Sequence, residues 1–134
     1  MQTRRQFLQA AALGSVLSAK AAPKAPATPI RWTIGCFTRP WADFELPVAF
    51  DAIAEAGYRH VGLMTTKGPR RLVLTADMSD EEAARIAADI RQRGLSVISA
   101  YGGDIPAAVS RAAAVSALRR LIELCAICGS PSLL

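Results

Sequence analysis

The chain has 134 residues and a formal charge of +5 at pH 7. Removal of residues 1–22 would take away Arg4, Arg5 and Lys20 but no acidic residue, which would lower the charge to +2. The remaining chain then has no special attraction for nucleic acid, so we expect no nucleic-acid partner. It also contains no apolar run near the ~20 residues that a stable membrane span needs.

The amino terminus resembles an export signal. Arg4 and Arg5 are followed by Phe7 and Leu8, a mild apolar run over 10–19, and the small residues of Ala19-Lys20-Ala21. A charged start, a short apolar run and a small-residue cleavage site describe a signal peptide, and the arginine pair favours the twin-arginine route. We predict a signal peptide over 1–22, recognition by the twin-arginine export machinery, and a periplasmic or other extracytoplasmic location. The alternative is a chance basic start before a weak helix.

The first strand and helix are predicted after a short linker. Residues 23–29 are rich in proline and alanine, which favours an extended, exposed segment. β-branched and aromatic residues from Ile30 to Phe37 predict a strand. A helix is expected to open at Pro47 and end at Gly57, because proline suits the first helical turn and glycine the position after the last.

Two more strand and helix pairs follow. A short buried strand is predicted over His60–Met64, and Ser79 with Glu82 has the spacing of a capping box, which predicts a helix that stops at Gly94. The third strand is predicted over Ser96–Tyr101. A long helix over Ser110–Cys128 is expected to end at Gly129 before a further strand begins at Ser132–Leu134. Its predicted buried residues are Val115, Leu118, Leu121, Ile122 and Cys125.

Alternating strands and helices predict an α/β fold with a parallel sheet covered by helices. A (β/α)8 TIM barrel and a doubly wound open sheet both fit, but no glycine-rich phosphate loop supports the nucleotide-binding version of the latter. A barrel takes ~250 residues, so only its first three to four βα units would be present. We therefore predict that 30–134 is the N-terminal half of a longer barrel protein. A complete small α/β domain is the alternative.

The three cysteines are an odd number for an exported protein. Cys125 and Cys128 have redox spacing but fall in the last turn of a predicted helix, where the helix dipole disfavours a thiolate. We interpret them as small buried packing residues.

Two motifs resemble the xylose isomerase-like TIM barrels of the sugar phosphate isomerase/epimerase superfamily. They are the run from Ile34 to Trp41 on the first strand and loop, and the run from Ala54 to Leu63 at the first helix-to-strand joint. Arg93-Gly94-Leu95-Ser96-Val97 is similar at the second joint. The resemblance covers about residues 30–134 and includes exported members with twin-arginine starts.

The resemblance implies a sugar or sugar derivative as substrate and a divalent metal, Mn, Mg or Zn, as cofactor. Carboxylates and a histidine at the ends of later strands would hold the metal and move a proton next to a sugar carbonyl. None of those ligands can be assigned to this chain, so the catalytic residues stay unknown and this segment alone is expected to be inactive. Many relatives carry a glutamate where this chain has Gly62. Because of that departure, a non-catalytic periplasmic sugar-binding barrel is the alternative.

Candidate substrate-binding residues follow from the rule that barrel sites lie at the carboxyl ends of strands. They are Phe37, Arg39, Trp41, Met64 and Tyr101. Phe37 and Trp41 are candidates for an apolar wall against a sugar ring, with ordinary loop packing as the alternative. Arg39 is a candidate for binding a carboxylate or phosphate, or else a solvated loop charge.

Other polar residues have structural explanations. His60 is the only histidine, but it lies at the amino end of its strand, where barrel residues serve stability. Asp104 follows two glycines and suits a turn. Arg70-Arg71 and Arg119-Arg120 are interpreted as solvated charges, since no aromatic residues interleave them for stacking on nucleic-acid bases.

Overall fold

The computed structural model describes residues 32–103 and 105–134. Three strands and three helices alternate along this part of the chain: β1 (Cys36–Phe37), α1 (Leu46–Glu55), β2 (His60–Leu63), α2 (Asp80–Gln92), β3 (Ser96–Ala100) and α3 (Arg111–Cys128). A 3-10 helix, Arg39–Trp41, follows β1. The signal peptide predicted over 1–22 and the linker predicted over 23–29 lie outside the described residues.

The strands form a parallel sheet in the order β1-β2-β3. The chain after α3 continues this order, because Leu133 forms a parallel bridge with Ala100 at the end of β3. The Leu134 amide donates to the Ala100 carbonyl at 2.8 Å, and the Ala100 amide donates to the Ser132 carbonyl at 2.9 Å. A doubly wound sheet would reverse its order and place a later strand beside β1. The consecutive order therefore favours the barrel.

The hydrophobic core lies between the sheet and the helices. Val61 and Leu63 of β2 and Ala100 of β3 are fully buried there, packed with Phe50 and Ile53 of α1. α2 and α3 contribute buried side chains to the same cluster: Ala83, Ile90, Leu121, Leu124, Cys125 and Cys128. One face of each strand is thus covered by helices, as the α/β interpretation predicts.

The helix ends confirm the sequence signals. The Ser79 hydroxyl accepts from the Glu82 amide at 3.2 Å, and the Glu82 carboxylate accepts from the Ser79 amide at 3.0 Å, so the predicted capping box is formed. Gly129 follows α3 with φ of 73°, a left-handed conformation that glycine adopts readily and that other residues disfavour. None of the described helices is long and apolar enough to cross a membrane.

The first strand is much shorter than predicted. Only Cys36 and Phe37 pair with β2, whereas Trp32 and Ile34 are 81% and 68% exposed. The reason is geometric: β2 begins at His60, which faces Gly35 in this register, so Trp32, Thr33 and Ile34 have no facing residue in this neighbouring strand. A β-favouring composition does not by itself supply a strand to pair with.

The sequence prediction of the buried face of α3 is also partly wrong. Leu121 and Cys125 are buried as expected, but Val115, Leu118 and Ile122 are substantially exposed. α3 is rich in alanine and has apolar residues on several faces, so spacing alone does not select the side that contacts the sheet.

Candidate functional site

The carboxyl ends of the three strands lie side by side. The Thr38 amide donates to the Gly62 carbonyl at 3.0 Å, and the Tyr101 amide donates to the Leu63 carbonyl at 2.7 Å. These bonds extend the parallel ladder beyond the strand residues themselves. They bring the half-buried residues Phe37, Met64 and Tyr101 to one edge of the sheet. The edge matches the place where a barrel builds its binding site.

Thr38 connects the first two strand ends. Its hydroxyl oxygen accepts from the amides of Met64 and Thr65, both at 3.1 Å, and the residue is fully buried. A buried amide without a partner is costly, so this side chain fixes the start of the loop after β2. The Thr65 hydroxyl is shielded at the same place and has no partner among the described residues.

Phe37 lies over Gly62 on the face of the sheet opposite the helices. We name this surface, which carries Gly35, Phe37, Gly62, Ile98 and Ser99, the far face. A Cβ atom added at Gly62 would lie 2.5 Å from Phe37 Cδ1, closer than side chains approach. The aromatic ring therefore takes the space in which a side chain at position 62 would stand. A glutamate, typical of the resembling superfamily at this position, does not fit beside this ring.

Arg39 and Trp41 belong to the 3-10 helix after β1. Arg39 is exposed, and no ion pair in the described part of the chain involves it. Trp41 is half-buried and packs against the hydrophobic core. The structure thus places Phe37, Met64 and Tyr101 along the strand ends and sets Arg39 and Trp41 beside them. Their roles in substrate binding stay predictions.

Ion pairs tie the loops after β1 and β2 together at this edge. Arg71 pairs with Asp43 at 2.9 Å, and Lys67 pairs with Glu45 at 3.4 Å. The Lys67 amide also donates to the Phe44 carbonyl at 3.0 Å. Within the second loop, a hydrogen bond from Thr75, with Arg70 nearby, lowers the pKa of Asp77. These charges orient the loops, and the two carboxylates nearest the first strand end are already paired with cations.

The described residues do not form a metal site. No cluster of three or more histidine, cysteine, aspartate or glutamate side chains occurs among them. His60 bonds Ser96 through Nδ1 at 2.7 Å, at the amino ends of β2 and β3, far along the strands from the candidate site. The divalent metal implied by the resemblance therefore has no ligand set in this part of the chain, and no reaction step is derived through it.

Four cavities occur on the described part of the chain. Their volumes are about 770, 500, 300 and 260 Å³, and helix surfaces, the loop after β2 and the segment after α3 line them. None of these four is lined by the five candidate residues.

Cys125 and Cys128 are buried free thiols, as predicted from their place at the end of α3. Burial raises the pKa of both thiols, that of Cys128 to about 11. Both thiols are therefore protonated at neutral pH, which excludes a ready thiolate nucleophile here.

Comparison with known proteins supports the fold. No protein family model and no curated protein sequence matches this chain. A crystal structure of D-psicose 3-epimerase in the presence of D-fructose is similar, with a TM-score of 0.51 and 16% sequence identity. The similarity covers 74% of this chain but only 35% of the epimerase chain. The fold is that of a partial TIM barrel.

Three features of the site were not predicted from the sequence. The close fit of Phe37 on Gly62 depends on strand register. The Thr38 hydroxyl bonds the amides of Met64 and Thr65 and so holds the loop after β2 rather than facing a ligand. Ser99 on β3 was also missed, although it is a polar residue inside a buried strand and 8% exposed. Such a residue in an apolar strand is the signal that points to it.

Proposed function

We propose that this chain supplies part of the sugar-binding side of an isomerase- or epimerase-like TIM barrel. The observation that carries the proposal is the far face at the carboxyl ends of β1 and β2, where the Phe37 ring is seated on Gly62. An aromatic ring offers a flat apolar surface for the C–H face of a sugar. The partial barrel fold and its likeness to a sugar epimerase support the same ligand class.

Turnover requires groups that the described residues do not provide. Proton transfer next to a carbonyl needs a positioned acid and base, and commonly a metal to polarise the oxygen. The proposed isomerase or epimerase activity therefore belongs to a longer protein, with its metal ligands and catalytic carboxylates beyond those described. This chain's own contribution is to bind and orient the sugar.

A non-catalytic sugar-binding protein is the second candidate. Phe37 occupies the space at Gly62, so the polar contact that a glutamate would provide there is absent, and binding without turnover is consistent with this replacement. Export by the twin-arginine route is also part of the proposal, supported by the order of charged, apolar and small residues at the amino terminus. Replacing Arg4 and Arg5 by lysine should abolish export of a fused reporter.

Binding of D-fructose and D-psicose to the whole chain tests the proposal. We expect saturation-transfer NMR to detect both sugars, and Phe37→Ala to remove the signal because the apolar platform is lost. Phe44→Ala is the matched control, since Phe44 is an exposed aromatic in the loop after β1. Equal losses in both variants, or no binding by the unmodified chain, would contradict the proposed function.

Interconversion of the two sugars by the proposed longer protein, followed by chromatography, separates the two candidates. An activity that a chelator abolishes favours the epimerase-like protein. Binding that survives the chelator with no interconversion favours the non-catalytic protein.

A further inference from the structure

Ser99 lies on the far face because of an irregularity in β3. Val61 pairs with Val97, but the next residue of β2, Gly62, pairs with Ser99, so Ile98 is an extra residue in the ladder. Val97 and Ala100 face the helices. The bulge therefore turns the Ser99 side chain to the same side of the sheet as Phe37.

The Ser99 hydroxyl differs from those of nearby serines. The Ser96 hydroxyl bonds His60 and contacts the Arg59 carbonyl, and the Ser132 hydroxyl donates to the Ile98 carbonyl at 3.1 Å. Ser99 is 8% exposed as a residue, and the side-chain hydrogen bonds within residues 32–103 and 105–134 include none to its hydroxyl. The fully shielded side-chain oxygen without a partner in these ranges is Thr65 Oγ1, so the significance of Ser99 lies in its place on the far face, in register with Gly62.

Phe37, Gly62 and Ser99 stand in one row across three neighbouring strands. Phe37 pairs with Gly62, and Gly62 pairs with Ser99. The row places an aromatic ring at one end and a hydroxyl at the other, with a residue that has no side chain between them. A sugar carries both complementary features, an apolar C–H face and hydroxyls at its rim.

We propose that the Ser99 hydroxyl hydrogen-bonds one hydroxyl of the sugar that rests on Phe37, and so helps to select which sugar binds. This inference rests on the proposed function of the same site. Ser99 acts here as a binding residue and not as a nucleophile. The single histidine lies at the opposite ends of the strands, where it bonds Ser96, so it is not placed to activate the Ser99 hydroxyl.

Ser99→Ala in the whole chain tests the inference. We expect affinity for D-fructose, measured by NMR titration, to fall about 3- to 10-fold, the range for loss of one neutral hydrogen bond. Ser96→Ala is the matched control, because it removes a hydroxyl from the amino end of the same strand and should leave the affinity unchanged. Chemical denaturation of both variants checks that they stay folded.

A set of monodeoxy-fructoses locates the bonded hydroxyl. One of these sugars should bind the unmodified chain and the Ser99→Ala variant with equal affinity, since the bond is already missing in both cases. If Ser99→Ala binds D-fructose normally while Phe37→Ala does not, Ser99 has no such role but the proposed function stands. If the unmodified chain binds neither D-fructose nor D-psicose, both proposals are overturned.

Discussion

The two faces of the same three strands have different chemistry. Toward the helices the strands present fully buried aliphatic residues such as Val61, Leu63 and Ala100. On the far face they present two glycines, an aromatic ring, the half-buried Ile98 and the hydroxyl-bearing Ser99. Because side chains alternate along a strand, one short segment contributes to both. The helix-facing side stabilises the fold, which leaves the far face available for recognition.

The largest expected effect is a difference in the free energy of unfolding between substitutions on the helix-facing side and on the far face. Leu63→Ala should lower the free energy of unfolding by about 2–5 kcal/mol, because it removes a fully buried side chain and leaves a cavity. Ile98→Ala, on the half-buried far face, should cost less than half as much. Urea denaturation of both variants measures the difference. Equal losses would show that the far face is as tightly packed as the helix-facing side.

Gly62→Ala tests the close fit on the far face. The added Cβ would lie 2.5 Å from Phe37 Cδ1, so we expect a loss of about 1–3 kcal/mol in the free energy of unfolding from overpacking. Combining it with Phe37→Leu should recover part of this loss, since a smaller side chain makes room. Additive effects in the double-mutant cycle would mean that the two residues do not touch.

Ser79→Ala removes a helix cap on the helix-facing side of the sheet. The Ser79 hydroxyl caps α2, and its removal should lower the free energy of unfolding by about 1 kcal/mol. Glu81→Ala in the same turn is the control, because Glu81 is outside the capping box. Sugar binding on the far face should be unaffected by either change, and a loss of binding in Ser79→Ala would indicate that the faces are coupled.

The buried thiols on the helix-facing side should make the free energy of unfolding depend on pH in the alkaline range. Burial raises the pKa of Cys128 to about 11 from an ordinary 9.0, so the unfolded chain loses this proton first. The stability from this thiol is complete below pH 9.0 and is lost as the pH rises toward about 11. Cys128→Ala should flatten this part of the pH dependence of unfolding. At neutral pH a thiol reagent should label the half-buried Cys36 before the other two cysteines, and simultaneous labelling would contradict their burial.

The smallest expected effect concerns the surface pair of Asp51 and Arg93. A hydrogen bond from Arg93 lowers the pKa of Asp51 below its ordinary 3.8, with 2.6 Å between Arg93 Nε and the carboxylate. The contribution is complete at neutral pH and is lost as the pH falls through the folded pKa. Asp51→Asn should remove this acid dependence with only a slight change in stability, because the carboxylate is exposed and salt screens the pair.

Local signals in the sequence predicted the elements well. The capping box at Ser79 and the glycine at 129 gave helix ends close to those observed, because both act through bonds to neighbouring residues. The length of β1 and the buried side of α3 were wrong, since each depends on what another segment does. An apolar residue such as Ile122 carries no information about whether a neighbour covers it.

The candidate site also combines features that follow from local sequence with features that depend on strand pairing. The rule that barrel sites lie at strand ends led to Phe37, Met64 and Tyr101, which the structure puts at one edge of the sheet, while their role in binding stays a prediction. The ring seated on Gly62 and the outward turn of Ser99 follow from strand register and from one extra residue in β3. Neither is encoded in a run of adjacent residues, so neither could be predicted without the three-dimensional pairing.

The consecutive strand order has a consequence for how the molecule is made. Each strand pairs with the one synthesised just before it, and Leu133 continues this pattern beside Ala100. The edge to which each strand pairs therefore consists of residues synthesised earlier, so assembly of the sheet from the amino end does not have to wait for a later segment.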